Sequence, residues 1–114
     1  MLALVVDDDV AVRSFIESIL HAERFETLEA DDGEQALAVV RMLDGEVDLI
    51  VTDIQMPGGG GIALARAVRK AYPSVPIILV SGHGDPDTEF EFIAKPFSWT
   101  VMSRAIRRVV CRAA

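Results

Sequence analysis

The sequence predicts an α/β fold built on one parallel sheet with helices on both faces, and three observations lead there. Short runs rich in Val, Ile and Leu recur at 2–6 (LALVV), 47–52 (VDLIVT) and 76–81 (PIILVS), with weaker ones at 25–30 (FETLEA) and 90–94 (FEFIA). The runs at 2–6 and 76–81 are apolar almost throughout, as expected of strands covered on both sides. Between the runs lie segments whose apolar residues recur at helical spacing. Such alternation implies right-handed crossovers that place helices on both faces of the sheet.

Each helix is supported by its own face. The first carries Val12, Phe15, Ile16, Ile19 and Leu20, the second Ala36, Leu37, Val40 and Leu43, and the third Leu64, Ala65, Val68 and Tyr72. The last carries Trp99, Met102, Ile106 and Val109. Asp9 is placed to cap the first helix, Asp32 with Gln35 resembles a capping box, and Ser98 follows Pro96 as a cap for the last. No repeat, low-complexity run or linker interrupts the series, so residues 1–114 are expected to form a single domain.

Composition narrows the function. Hydrophobic residues make up 51% of the 114, enough to build an ordinary core without disulfide or metal staples. The net charge is −7, and the basic residues cluster in two helical stretches, Arg66–Lys70 and Arg104–Arg112, which argues against direct nucleic-acid binding. Cys111 is the only cysteine, so there is no internal disulfide and no thiolate metal site. The apolar run after Met1 is too short for a leader and is interrupted by three aspartates. Neither a signal peptide nor a transmembrane span is expected, and a cytoplasmic location fits.

In open α/β sheets the functional crevice lies beyond the carboxyl ends of the strands. The first strand ends in Asp7, Asp8 and Asp9, the third in Asp53, the fourth in Ser81 and the fifth in Lys95. If the first and third strands are neighbours, three carboxylates and one ammonium meet on one rim. Two carboxylates about 5 Å apart repel by roughly 3 kcal/mol at an effective dielectric near 20, so such a cluster calls for cations. Lys95 supplies one, and the hard, all-oxygen donor set suits Mg²⁺. A carboxylate beside Mg²⁺, a lysine and a hydroxyl can accept a phosphoryl group, with Asp53 the best nucleophile because the turn QMPGGGG follows it and leaves it accessible.

These residues resemble the receiver domains of bacterial two-component response regulators. The likeness covers nearly the whole chain: VVDDD at 5–9, DLIVTDIQMPGGGGI at 48–62, PIILVSGHGD at 76–85 and FIAKPF at 92–97. The resemblance implies a flavodoxin-like, doubly wound five-stranded sheet of order 2-1-3-4-5. It implies that Asp53 is the phosphoacceptor, charged by a histidine kinase or a histidine phosphotransfer protein, in a domain that catalyses its own phosphorylation and dephosphorylation. Asp8 and Asp53 would bind Mg²⁺ through carboxylate oxygens, Gln55 through its backbone carbonyl and Asp7 through water. Ser81 and Lys95 would hold phosphate oxygens, and Phe92 fills the aromatic switch position. The Lys95–Pro96 step matches one that is often cis. Gln55 and His83 stand where the family tunes loss of the phosphoryl group. Gly61 matches the usual glycine before the third helix, whereas Gly58 to Gly60 form a loop expected to be mobile.

One departure stands out. Thirteen residues, Gly82 to Ala94, separate Ser81 from Lys95, and once the fifth strand is subtracted about eight remain, fewer than the roughly 10 to 12 of a helical crossover. The family's fourth helix is therefore expected to be absent or reduced to a turn. Eight extended residues reach at most about 26 to 29 Å against a strand of about 17 Å, so Lys95 can still return to the pocket. In typical receivers that helix, the fifth strand and the last helix form the output surface. Its loss is expected to leave one face of the fourth and fifth strands partly uncovered, with Phe90 and Phe92 adding to an apolar patch that serves a homodimer or an effector.

Three other functions compete. A haloacid-dehalogenase-type phosphatase needs a DxDx[TV] pattern, but Asp7 and Asp9 are followed by Val10 and Ala11. A flavin-binding module needs a phosphate loop after the first strand, where three aspartates would repel the anion. A degenerate receiver that binds partners without phosphorylation is favoured only by the shortened connection.

Overall fold

The fold is described for residues 1–56 and 60–113 by a computed structural model. Five strands, β1 (Leu2–Val6), β2 (Glu26–Ala30), β3 (Leu49–Asp53), β4 (Ile77–Ser81) and β5 (Glu91–Ala94), form one sheet of order β2-β1-β3-β4-β5, with every neighbouring pair parallel. Four helices alternate with them: α1 (Val10–Ala22), α2 (Gly33–Met42), α3 (Gly60–Ala71) and α4 (Trp99–Ala113). The expected fold class and strand order are met.

Alternation along the strands divides the core in two. Ala3, Val5, Leu49, Val51, Ile78, Val80 and Ile93 pack with Ile16, Ile19 and Leu20 of α1 and Met102 and Ile106 of α4. Leu4, Val6, Ile50, Ile77 and Leu79 face the other way, onto Ala36 and Val40 of α2 and Leu64, Ala65 and Val68 of α3. Each fully buried aliphatic side chain contributes about 1.5–3 kcal/mol, so the two layers together hold the strand ends in register.

The caps form much as their spacing suggests. Asp9 accepts from the amides of Ala11 and Val12, Asp32 from that of Gln35, and Ser98 Oγ from that of Val101. Gln35 reaches back one residue further than a capping box requires, accepting from the Asp31 amide. Phe15 and Trp99, expected on buried faces, are 39% and 43% exposed. They pack on each other edge-on, and Phe15 also stacks with Phe97, which makes a small aromatic cluster at the helix starts rather than core.

Residues 82–90 contain no helix, as the short interval demands. They turn through local polar bonds, Asp85 accepting from the Asp87 amide and Thr88 from that of Phe90, with Gly84 and Asp87 at positive φ. The expected uncovered face of β4, however, is not found. All five β4 residues are buried, and Phe90, only 6% exposed, belongs to the same buried cluster as Ile77 and Leu79. One aromatic side chain thus closes the layer that a helix would otherwise cover, and the Arg69 guanidinium lies 4.9 Å from its ring centre. Phe92 is half-buried, and with β4 wholly buried no exposed apolar patch spans both strands among the described residues.

Candidate functional site

The parallel register brings the carboxyl ends of β1, β3, β4 and β5 to one rim. Asp7 follows β1 and is fully buried, and Asp53 ends β3 at 7% exposure. Asp8 is exposed. Carboxylate oxygens of Asp7, Asp8 and Asp53 lie within 4.8 Å of one another. Asp9 points away into its capping role, as expected.

Lys95 reaches this cluster despite the short connection. The ladder between β4 and β5 runs to its end, where the Lys95 amide donates to the Ser81 carbonyl at 2.7 Å. That bond fixes the start of the lysine side chain, whose Nζ lies 3.3 Å from Asp7 Oδ2 and 3.4 Å from Asp53 Oδ2. The Lys95–Pro96 peptide is cis. Asp7 is held further by the Asp9 amide, which donates to Oδ1 at 2.9 Å.

Burial pushes the Asp53 carboxyl above its ordinary value, Lys95 opposes that rise and the Asp7 charge adds to it. Three carboxylates share the rim with one lysine. Three hard oxygen donors in this state fit Mg²⁺, whose small radius and retained waters suit a half-open rim.

Ser81 is 3% exposed, and its Oγ accepts from the His83 amide at 3.1 Å, which leaves the hydroxyl proton available to a ligand. His83 itself is exposed on the following loop, and Gln55 is exposed two residues after Asp53. Phe92 lies one pleat back from the rim, paired with Leu79 while Ala94 pairs with Ser81. Gly58 and Gly59, expected to form a mobile loop, lie outside the described residues. Gly61 has a physical explanation: a Cβ there would collide with the Asp53 carbonyl, and its amide donates to the Ile54 carbonyl at 2.9 Å. Gly60, at φ +72°, makes the left-handed step into α3.

Two polar residues near the rim escaped the sequence expectations. Thr52 is fully buried and its hydroxyl donates to the Asp53 carbonyl at 3.0 Å. Arg13 is buried beneath the β1–α1 junction. Its spacing to Ile16 and Leu20 places it on the apolar face of α1, a signal that a charge there has a buried partner.

A doubly wound parallel sheet with an acid-lined, lysine-bridged rim defines a class of proteins, and the comparisons agree with it. The family model described as the response regulator receiver domain matches residues 3–107, and the chain belongs to this family of two-component signalling domains. It is 33% identical over 115 residues to the sensor kinase CckA of Brucella abortus, covering 94% of this chain and 12% of that protein. It is 34% identical over 119 residues to the phosphate regulon transcriptional regulatory protein PhoB of Pseudomonas aeruginosa, covering 96% of this chain and 51% of that one. Among solved structures, the beryllofluoride-activated NtrC4 receiver domain dimer superposes with a TM-score of 0.89 at 26% identity, covering 99% of this chain and 98% of that one. The chain spans about half the length of PhoB and about an eighth of CckA. Among the described residues, no helix is long and apolar enough to cross a membrane.

Proposed function

We propose that Asp53 accepts a phosphoryl group from a phosphohistidine on a histidine kinase or a histidine phosphotransfer protein. The observation that carries this reading is Lys95 Nζ lying within 3.4 Å of both Asp7 and Asp53, at a rim where Ser81 keeps a free hydroxyl proton. In the transfer, an Asp53 carboxylate oxygen bonds to phosphorus as the P–N bond to the donor imidazole breaks, and the electron pair of that bond stays on the ring nitrogen. The Lys95 ammonium and the Ser81 hydroxyl stabilise charge on the transferring oxygens. Asp8, Asp53, the Gln55 carbonyl and, through water, Asp7 would hold Mg²⁺, which when bound supplies further neutralisation of the phosphoryl oxygens.

The acyl phosphate adds roughly 1.5 to 2 negative charges beside Lys95 and Ser81. Drawing Ser81 inward frees space toward Phe92 and so links the rim to the β5 surface, where a second copy or an effector is contacted. Gln55 and His83, each exposed and two residues after Asp53 and Ser81, set how readily water removes the phosphoryl group. The whole unit, residues 1–114, acts as one receiver domain in the cytoplasm.

Incubation with Mg²⁺ and a small acyl phosphate, followed by intact mass measurement, tests the proposal. A labile phosphoryl adduct on the wild-type chain and none on Asp53→Ala is the expected result. No adduct on either protein would favour a phosphorylation-independent interaction module, and an adduct on both would place the chemistry elsewhere.

A further inference from the structure

The acidic rim is held from beneath by a charge the transfer itself does not use. Arg13 projects from the first turn of α1 into the junction between β1 and β2, where its side chain is 11% exposed. Its Nη1 donates to the Asp7 main-chain carbonyl at 2.7 Å and to Asp31 Oδ1 at 2.8 Å, and its Nε pairs with Glu29 Oε2 at 2.9 Å. Glu29 and Asp31 lie at the carboxyl end of β2, so a single guanidinium clamps the ends of two neighbouring strands.

The main-chain bond matters most, because the Asp7 carbonyl and the Asp8 amide belong to one planar peptide unit. The other end of Asp7 is fixed as well, its amide donating to the Ala30 carbonyl at 3.2 Å. Asp7 therefore enters the rim with both its peptides oriented. Asp8 differs: it is exposed, and no hydrogen bond of its carboxylate is found among the described residues. The peptide that precedes it sets where its Cα and Cβ start, and the Arg13 side chain holds that peptide.

We infer that Arg13 is a positioning residue for the cation site, aiming the Asp8 carboxylate at the oxygens of Asp7 and Asp53 through its bond to the Asp7 carbonyl. The inference rests on the Mg²⁺-binding role proposed above for the rim. It also gives the β2 end a function, since Glu29 and Asp31 hold the guanidinium that holds the peptide. Partners that orient ligands from behind in this way typically change metal affinity by 10–100-fold when lost.

The sign of the effect separates positioning from simple charge. Removing a cation near a cation site tightens Mg²⁺ binding by Coulomb attraction alone, whereas loss of positioning weakens it. The test follows backbone amide resonances of Asp8, Asp9 and Gln55 during Mg²⁺ titration of the wild-type chain, Arg13→Ala and Arg13→Met, the last keeping the apolar stem. Urea unfolding of each variant runs in parallel.

The expected result is about tenfold weaker Mg²⁺ binding by the folded variants, beyond any fall in stability, and a shift of the wild-type Arg13 guanidinium protons on Mg²⁺ addition. Unchanged or tighter binding by a folded variant overturns the inference while leaving the cation site intact. If neither variant folds, guanidinium protons in the wild type that do not respond to Mg²⁺ overturn it. A wild-type chain that fails to bind Mg²⁺ overturns the cation site itself, and this inference with it.

Discussion

The rim at the ends of β1 and β3 and the connection between β4 and β5 show two ways of meeting a structural demand. At the rim, the buried residues are tied by directed bonds: the Asp7 carboxylate to Lys95 and the Asp9 amide, its carbonyl to Arg13, and Asp53 to Lys95. In the connection, a few turn residues and one buried ring do the work of a helix. Directed bonds fix the position of charges to a few tenths of an ångström, which phosphoryl transfer needs. Burial of apolar surface has no direction, so a single phenylalanine can replace a longer element as cover.

If the rim is chemical and the connection is cover, substitutions in the two should separate activity from stability. The largest effect is expected for Lys95→Met, which removes the one ammonium from the rim. Adduct formation with a small acyl phosphate, timed by intact mass, should slow by about a hundredfold or more. A rate within threefold of wild type would move the charge stabilisation away from Lys95.

Phe90→Ala should act in the opposite way. Loss of a buried aromatic side chain costs about 3–5 kcal/mol, which urea unfolding measures directly. The folded fraction should still form its adduct at a near wild-type rate. A large drop in rate without a drop in stability would show that the connection takes part in the chemistry.

The pH dependence tests the rim more finely. Burial, the largest cause, raises the Asp53 carboxyl above its ordinary value of 3.8 despite Lys95, so the ionised form costs stability. This group's contribution is fully present below its unfolded value and is lost as pH rises through the raised folded one. Asp53→Asn should therefore be more stable than wild type at neutral pH, with the difference shrinking as pH falls toward 4 and below, and shrinking also when Mg²⁺ is added. Adduct formation by the wild-type chain should fall off at a higher pH than an ordinary aspartate would give. A wild-type chain that is the more stable of the two at neutral pH without Mg²⁺ would contradict the assignment.

The smallest effect belongs to Arg69→Ala. Its guanidinium over the Phe90 ring contributes about 0.5–1 kcal/mol, visible as a small shift in the urea midpoint, with the adduct rate unchanged.

Much of this division is legible in the sequence because it depends on local pattern. The strand at 2–6 is found with the same bounds, Asp9, Asp32 and Ser98 cap their helices, and the shortage of residues before Lys95 leaves no room for a complete fourth helix in a parallel crossover. The convergence of Asp7, Asp8, Asp53, Ser81 and Lys95 follows from strand order alone. What the sequence does not reveal depends on contacts distant along the chain. Phe90 looks exposed until β4 and α3 are placed around it, and Phe15 and Trp99 look buried until each finds the other at a helix start. Arg13 hides for the same reason, its partners Glu29 and Asp31 being on another strand.

The nine-residue connection from Gly82 to Phe90 also bears on the order in which the molecule assembles. Closing a flexible loop costs about 0.6 kcal/mol more for each doubling of its length, so β5 can join β4 at less entropic cost than if a full helix had to be carried between them. The bond from the Lys95 amide to the Ser81 carbonyl terminates that pairing. Lysine and serine thus reach one side of the rim through a near-local step, while Asp7 and Asp53 meet only when strands more than forty residues apart find each other. The basic half of the site is in this sense the half that closes over a short span of chain, and its acidic half the one that must close over a long one.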